Sequence, residues 1–171
     1  GGMGTNSVDN EIEIFKSKKL MLSVVRELAL ETSVYSMGKI KESELYKQSA
    51  PFTIRLISEK PNAKYPGNEV FAKIENGQLL LESEDFKTAY KIPFNRAVTL
   101  PFGIYLFEKN TNFKNAPQAQ YRLQFMSGIN RTRDLLSKLN VSLVQKEATV
   151  LKLSINHPVP EKAVDILNRL A

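Results

Sequence analysis

The sequence has no cysteine, no tryptophan and a single histidine, His157. Without cysteine there is no disulfide framework, no thiol nucleophile and no Cys-based zinc site. The same absence leaves the cellular compartment open. A lone histidine cannot build a His cluster around a metal, and a catalytic role would need a nucleophile or carboxylate beside it. His157 stands between Asn156 and Pro158, in an expected strand-to-helix turn, and reads as a solvated or capping turn residue. Long hydrophobic runs are also missing. Runs such as Leu79-Leu80-Leu81 are only a few residues long, whereas a membrane-spanning helix needs roughly 20 mostly apolar residues. With no signal-peptide pattern either, any membrane anchor is expected to lie outside this stretch. There is no Walker A, G-x-S-x-G or H-E-x-x-H motif. The Gly-rich opening, Gly1 to Val8, lacks the lysine and preceding strand of a phosphate loop, and residues 1–8 read as a flexible lead-in.

What is present is ordinary globular material. The chain has 171 residues, 42% of them apolar and 25% charged, enough for one domain with one core, expected over residues 9–171. The formal charge is +6, which can draw a protein to nucleic acid, anionic lipid or acidic glycan. The basic residues are spread along the chain, however. Their densest cluster, Lys16, Lys18 and Lys19, reads as a solvated helix face ahead of a dedicated anion site.

Periodicity orders the rest. Asp9 or Asn10 can cap a helix, Glu11 and Glu13 suit its first turn, and Ile14, Met21, Val24, Val25 and Leu28 form one apolar stripe. This pattern predicts helix over about 9–29, with a kink near Ser17, which can cap a second segment. Phe52, Ile54 and Leu56 alternate with polar residues, as a strand does. Residues 69–75 alternate again, and Asn76-Gly77 provides a tight turn into 78–82. Short strands follow at 90–92, 96–100 and 104–108, kept short or at edges by Pro93 and Pro101. Residues 69–108 therefore read as an antiparallel meander. In 118–125, Ala119, Tyr121, Leu123 and Phe125 face one way and the glutamines and Arg122 the other; the aromatics on that face read as core. Ser127 can cap a helix carrying Ile129, Leu135, Leu136 and Leu139. Strands are expected at 141–146 and 149–155, then a helix with Ala163, Ile166, Leu167 and Leu170. That helix pattern still runs at Ala171, so the natural protein is expected to continue.

Few residues suggest chemistry. Glu82, Glu84 and Asp85 could do acid–base work only if they faced one another across a cleft; at the end of an expected strand they read as an exposed turn. Two glycosylation sequons, at Asn130 and Asn140, receive no role.

Several segments nevertheless resemble one family. Residues 8–30, VDNEIEIFKSKKLMLSVVRELAL, resemble the first block of Wzz-type polysaccharide chain-length determinants, with Glu13, Ile14, Lys16, Ser17 and Leu20, spaced E-I-x-K-S-x-x-L, carrying the likeness. The longer NEIEIFKSKKLM is similar to the form found in bacterial tyrosine autokinases of capsule and exopolysaccharide export. Glu44-Leu45-Tyr46 followed by Pro51-Phe52 is similar to the family's E-L-Y…P segment. Residues 135–154 are similar to its helix–strand–strand unit, and PEKAVDILNRL at 160–170 to its closing P-x-x-A-x-x-I-L-N helix. The strand that usually precedes the first helix, the coiled-coil arm and the second membrane span have no counterpart in these residues.

The resemblance implies an α+β domain: a mixed, mostly antiparallel sheet packed by N-terminal, middle and C-terminal helices, with the 69–108 meander inserted. It implies a periplasmic, non-catalytic domain of a bacterial inner-membrane protein, homo-oligomeric, that regulates chain length or export of capsular or exopolysaccharide through assembly. It implies no cofactor, no metal and no nucleic acid. Any tyrosine kinase of the parent would lie beyond Ala171. Ring assembly needs two different patches on each subunit. The expected contacts are Lys16, Lys19 and Arg26 on one helix, and Arg131 and Lys138 on the polar face of another. The alternative is a stand-alone glycan- or anion-binding module; a carboxylate hydrolase would require a deep, convergent pocket.

Overall fold

The computed structural model describes residues 2–145 and 150–171. The chain is α+β, with four α-helices among the described residues and sheets whose strand pairings are antiparallel. It divides into two compact units: residues 1–30 with 128–171, and residues 31–127.

The first unit holds the helices. Helix α1 spans Gly2–Phe15 and α2 Lys18–Glu27. The expected break falls at Ser17, whose Oγ accepts from the Leu20 N–H at 3.2 Å and satisfies one of the donors a helix start leaves unpaired. Helix α1 begins at Gly2, ahead of the expected start near residue 9. Once a helix is nucleated each added residue brings one further hydrogen bond, and that propagation takes in the small polar residues read as a lead-in. Met21, Val24 and Val25 are buried as the stripe requires, but Ile14 is 59% exposed. Helix α2 ends in a Schellman motif: the Leu30 N–H bonds Val25 O at 2.9 Å and the Ala29 N–H bonds Arg26 O at 3.3 Å. The turning residue, Ala29, sits at φ 55°, where glycine is the usual occupant.

Helix α3 (Gly128–Lys138) runs directly into strand β10 (Leu139–Gln145), which pairs with β11 (Val150–Ile155); helix α4 (Pro160–Leu170) follows with proline in its first turn. The expected strand ends at Lys146 and Thr149 lie outside the described residues. The register sets Leu139 opposite Ile155, Val141 opposite Leu153 and Leu143 opposite Leu151, so one face of this ribbon is wholly apolar. Helix α2 packs against α3 and α4, α1 against β10, and α4 against β11.

The second unit is a two-sheet β structure. The larger sheet contains β1 (Thr32–Met37), β2 (Glu42–Leu45), β4 (Val70–Glu75), β5 (Gln78–Glu82), β6 (Tyr90–Pro93) and β9 (Tyr121–Phe125), in the order β2-β1-β9-β4-β5-β6. The smaller contains β3 (Phe52–Glu59), β7 (Ala97–Leu100) and β8 (Gly103–Lys109), ordered β3-β8-β7. The alternation seen in the sequence is the core pattern: Phe52 and Ile54 from one sheet and Tyr121, Leu123 and Phe125 from the other join one buried cluster. Edge-on rings link the sheets, with Phe52–Tyr121 centroids 5.7 Å apart and Tyr105–Phe125 centroids 5.2 Å apart.

The expected 69–108 meander is divided between the sheets. Strands β4, β5 and β6 do form a meander, turning at Asn76-Gly77 with φ 52° and 76°, the conformation that favours this pair in hairpins. Strands β7 and β8 leave it for β3. The switch follows Pro93, where the chain turns through Asn95 at φ 62° and the Asn95 N–H bonds Phe107 O at 2.7 Å. Proline has no amide donor to extend a ladder, and asparagine tolerates the left-handed turn.

Candidate functional site

The residues singled out on the helices separate into two kinds. Lys16 lies in the break between α1 and α2, Lys19 in the first turn of α2 and Arg26 in its last, and all are exposed. Lys19 and Arg26 are seven positions apart and so share a helix face. Arg26 also faces the negative end of the helix dipole. These three form a solvated basic edge.

Arg131 does not join Lys138 on an outward polar face. Arg131 is 8% exposed. Its Nε–H donates to the Leu30 carbonyl at 2.8 Å, and its Nη1 donates to Asp134 Oδ2 at 3.1 Å. Lys138 Nζ reaches the same carboxylate at 3.2 Å. The buried positions of α3 are Gly128, Arg131, Thr132 and Leu135, while Ile129 is 43% exposed. The arginine replaces an apolar residue in the packed stripe because a buried guanidinium is tolerated where carbonyl and carboxylate oxygens receive its donors. Arg131 is therefore an internal tie within the first unit, and as an outward contact residue it is corrected.

His157 accepts the Val159 N–H at its Nδ1, 3.0 Å away, which ties down the turn entering α4. The carboxylates Glu82, Glu84 and Asp85 do not converge on a shared point. Asp85 accepts from the Asn68 backbone N–H at 2.7 Å and side-chain amide at 3.2 Å, and these donors, the backbone one first, hold its carboxyl below the usual range. Glu82 pairs with Lys73 at 3.4 Å. Among the described residues no group of three or more His, Cys, Asp or Glu is placed to hold a metal ion.

The larger sheet has an outward face that sequence reading did not assemble. Cross-strand partners Glu44, Tyr35, Arg122, Phe71 and Glu82 stand in one row across β2, β1, β9, β4 and β5. All five are half-buried. Arg122 is the centre of the row. Its Nε and Nη2 donate to the two carboxylate oxygens of Glu42 at 2.8 and 2.6 Å, and its guanidinium lies 4.1 Å from the Tyr35 ring centroid. The hydrogen bond from Arg122, ahead of its charge, holds the Glu42 carboxyl below its ordinary value. The Tyr35 hydroxyl approaches Gln124 Oε1 at 3.5 Å. Two open depressions adjoin this row. One of about 300 Å³ is lined by Asn68, Glu69, Arg122 and Gln124 among others. One of about 510 Å³ is lined by Asn68, Glu69, Phe71, Glu82, Ser83 and Glu84.

A third depression, of about 410 Å³, is lined by Glu59, Lys60, Asn62, Tyr65 and Ser127 among others. Tyr65 donates to Glu59 at 3.2 Å. Burial, reinforced by the Glu59 charge, pushes its phenol up to about 12. Behind it the fully buried Tyr105 hydroxyl lies beside Tyr65 without a hydrogen bond of regular geometry.

No protein-family model matches the chain, and no curated protein sequence matches it.

Proposed function

We propose that this chain is the extracytoplasmic assembly domain of a bacterial inner-membrane polysaccharide co-polymerase, which sets the length or export of capsular or exopolysaccharide by oligomerising. In this reading the domain performs no reaction and takes no cofactor, faces the periplasm, and meets the membrane through its parent protein. No helix among the described residues is long and apolar enough to cross a membrane, so any span belongs to other parts of the parent.

Most segments that resemble the chain-length determinants, α1–α2, α3–β10–β11 and α4, fall in the first unit, and Glu44-Leu45-Tyr46 with Pro51-Phe52 falls in the second. The observation that carries the reading is the surface of that unit. Of the nine large apolar side chains exposed among the described residues, six belong to it: Ile14, Ile129, Leu143, Val144, Val150 and Val164. Single exposed apolar residues are ordinary, and their number on this one unit is what supports an interaction surface there. The same unit carries the exposed basic residues Lys16, Lys19 and Arg26, which supply orientation to a contact more than affinity.

Deleting the gene and sizing the surface polysaccharide by gel electrophoresis tests the reading. A changed modal length or a loss of export supports it; an unchanged length distribution and amount overturns it. In the parent protein, Val144→Asp with Val164→Asp is expected to reduce the oligomer mass seen by native mass measurement, and charge reversal at Lys16, Lys19 and Arg26 to weaken it.

A further inference from the structure

We propose that the outward face of the six-stranded sheet is a binding face for a neutral, polyhydroxylated chain, namely a segment of glycan. The row from Glu44 through Tyr35, Arg122 and Phe71 to Glu82 crosses five strands. At ~4.8 Å between neighbouring strands it extends roughly 19 Å, a track suited to an extended ligand. The two depressions beside it adjoin at Asn68 and Glu69, which line both, and this pair of hollows, one reaching Arg122 and Gln124 and the other Phe71 and Glu82, is the trough.

The chemistry of the trough selects the ligand. Phe71, which lines the trough, offers ring surface to the C–H face of a sugar ring, as aromatic residues do in sites with a few placed polar groups, and Tyr35, with the Arg122 guanidinium on its ring, stands in the same row. Asn68 and Gln124 are amides that both donate and accept, and the carboxylates accept from hydroxyls. Asn68 is held in place by its two hydrogen bonds to Asp85, so part of the rim is ordered before a ligand arrives. The charge of the face opposes that of the whole chain. Although the protein is +6 overall, the row and trough carry Glu44, Glu69, Glu82 and Glu84 against Arg122, and the positions two residues along the strands add Glu42, Lys73 and Lys91. Two of Arg122's donors already engage Glu42. Such a face repels the phosphates of nucleic acid and the acid groups of an anionic glycan, and accommodates a neutral one. The biological identity of the glycan rests on the polysaccharide reading above, whereas the face itself stands on the register.

The experiment is a titration of the isotope-labelled chain with neutral linear oligosaccharides of glucan, mannan and galactan type, followed by amide resonances. Single-stranded DNA and a sulfated glycan are the anionic arms. A neutral oligosaccharide is expected to shift the resonances of Tyr35, Phe71, Arg122 and Gln124. Phe71→Leu, which keeps apolar volume but removes the ring face, is expected to weaken binding by about tenfold or more, as is Tyr35→Leu; a preserved amide spectrum certifies each fold. The inference is overturned if every neutral oligosaccharide leaves these resonances in place, if either anion shifts them more strongly, or if Phe71→Leu and Tyr35→Leu both bind like the parent. Gene deletion separates this failure from that of the function. A changed polysaccharide length without glycan shifts removes the binding face alone, and glycan shifts with unchanged length remove the co-polymerase alone.

Discussion

Arg131 on α3 donates from Nε to the carbonyl of Leu30 at 2.8 Å, joining residues 101 positions apart in the chain. Leu30 lies just past the end of α2, where a helix leaves carbonyls without intrahelical partners. Arg131→Met removes that donor while keeping a long apolar stem. Asp134 retains Lys138 at 3.2 Å, so its charge is not stranded, and the cost is the buried carbonyl and the lost charge-assisted bond, about 2 kcal/mol. Lys16→Glu and Arg26→Glu, at exposed positions, should change stability by no more than about 0.5 kcal/mol. Urea denaturation of the three variants checks this ranking, and a neutral Arg131→Met would show that the tie contributes nothing.

One residue before Leu30, Ala29 stands at φ 55°. An L-residue with a Cβ pays roughly 1–2 kcal/mol in this region, and glycine avoids it at some cost in unfolded-chain entropy. Ala29→Gly is therefore expected to stabilise the chain by about 0.5 kcal/mol, read as a higher urea midpoint with an unchanged slope. The opposite test, Ser17→Ala at the start of the same helix, removes the acceptor for Leu20 N–H and should cost about 1 kcal/mol.

The Arg122–Glu42 fork makes a pH prediction with a definite sign. Glu42 titrates below its unfolded value of 4.5 in the native protein. A carboxyl with a depressed native value contributes stability that is fully present above the unfolded value and is lost as pH falls through the native one. The stability difference between the parent and Glu42→Gln should thus be constant near neutrality and shrink below about pH 4.5. The Glu42 side chain is 40% exposed, so the difference is small and screened by salt. Denaturation curves at neutral and acidic pH, each at low and high salt, provide the comparison.

Local chemistry made several elements legible before any coordinates. The Ser17 break, the Asn76-Gly77 turn and the buried alternation of Tyr121, Leu123 and Phe125 each depend on neighbours in sequence, which is where capping, φ preference and side-chain period act. The insertion of β9 between β1 and β4 does not. It pairs Val34 and Val70 with the same Leu123, a register that no local pattern specifies. The row of Tyr35, Arg122 and Phe71 is a product of that register, and so it could not be assembled from spacing. Arg131 was missed for a different reason: a helical wheel sorts residues by polarity, and a charge whose oxygens lie at Leu30 and Asp134 looks like surface until those partners are in place.

Burial holds the phenols of Tyr65 and Tyr105 in the protonated form. Burial raises both above their ordinary value of 10.0, Tyr65 to about 12 and Tyr105 further still. A phenol that stays protonated in the native state and ionises more easily when unfolded gives stability that is complete below the unfolded value and is lost as pH rises through the native one. Of the protein's six tyrosines, these two should remain silent in an ultraviolet titration up to about pH 12, and unfolding should be progressively favoured between pH 10.0 and about 12. Tyr65→Phe removes the hydroxyl that donates to Glu59 at 3.2 Å and one of the two late-titrating phenols. Its alkaline unfolding should be shallower with pH than the parent's, because fewer protons separate the native and unfolded states. Parallel alkaline curves for parent and variant would mean that Tyr65 titrates normally, and that the Glu59–Tyr65 contact does not survive in solution.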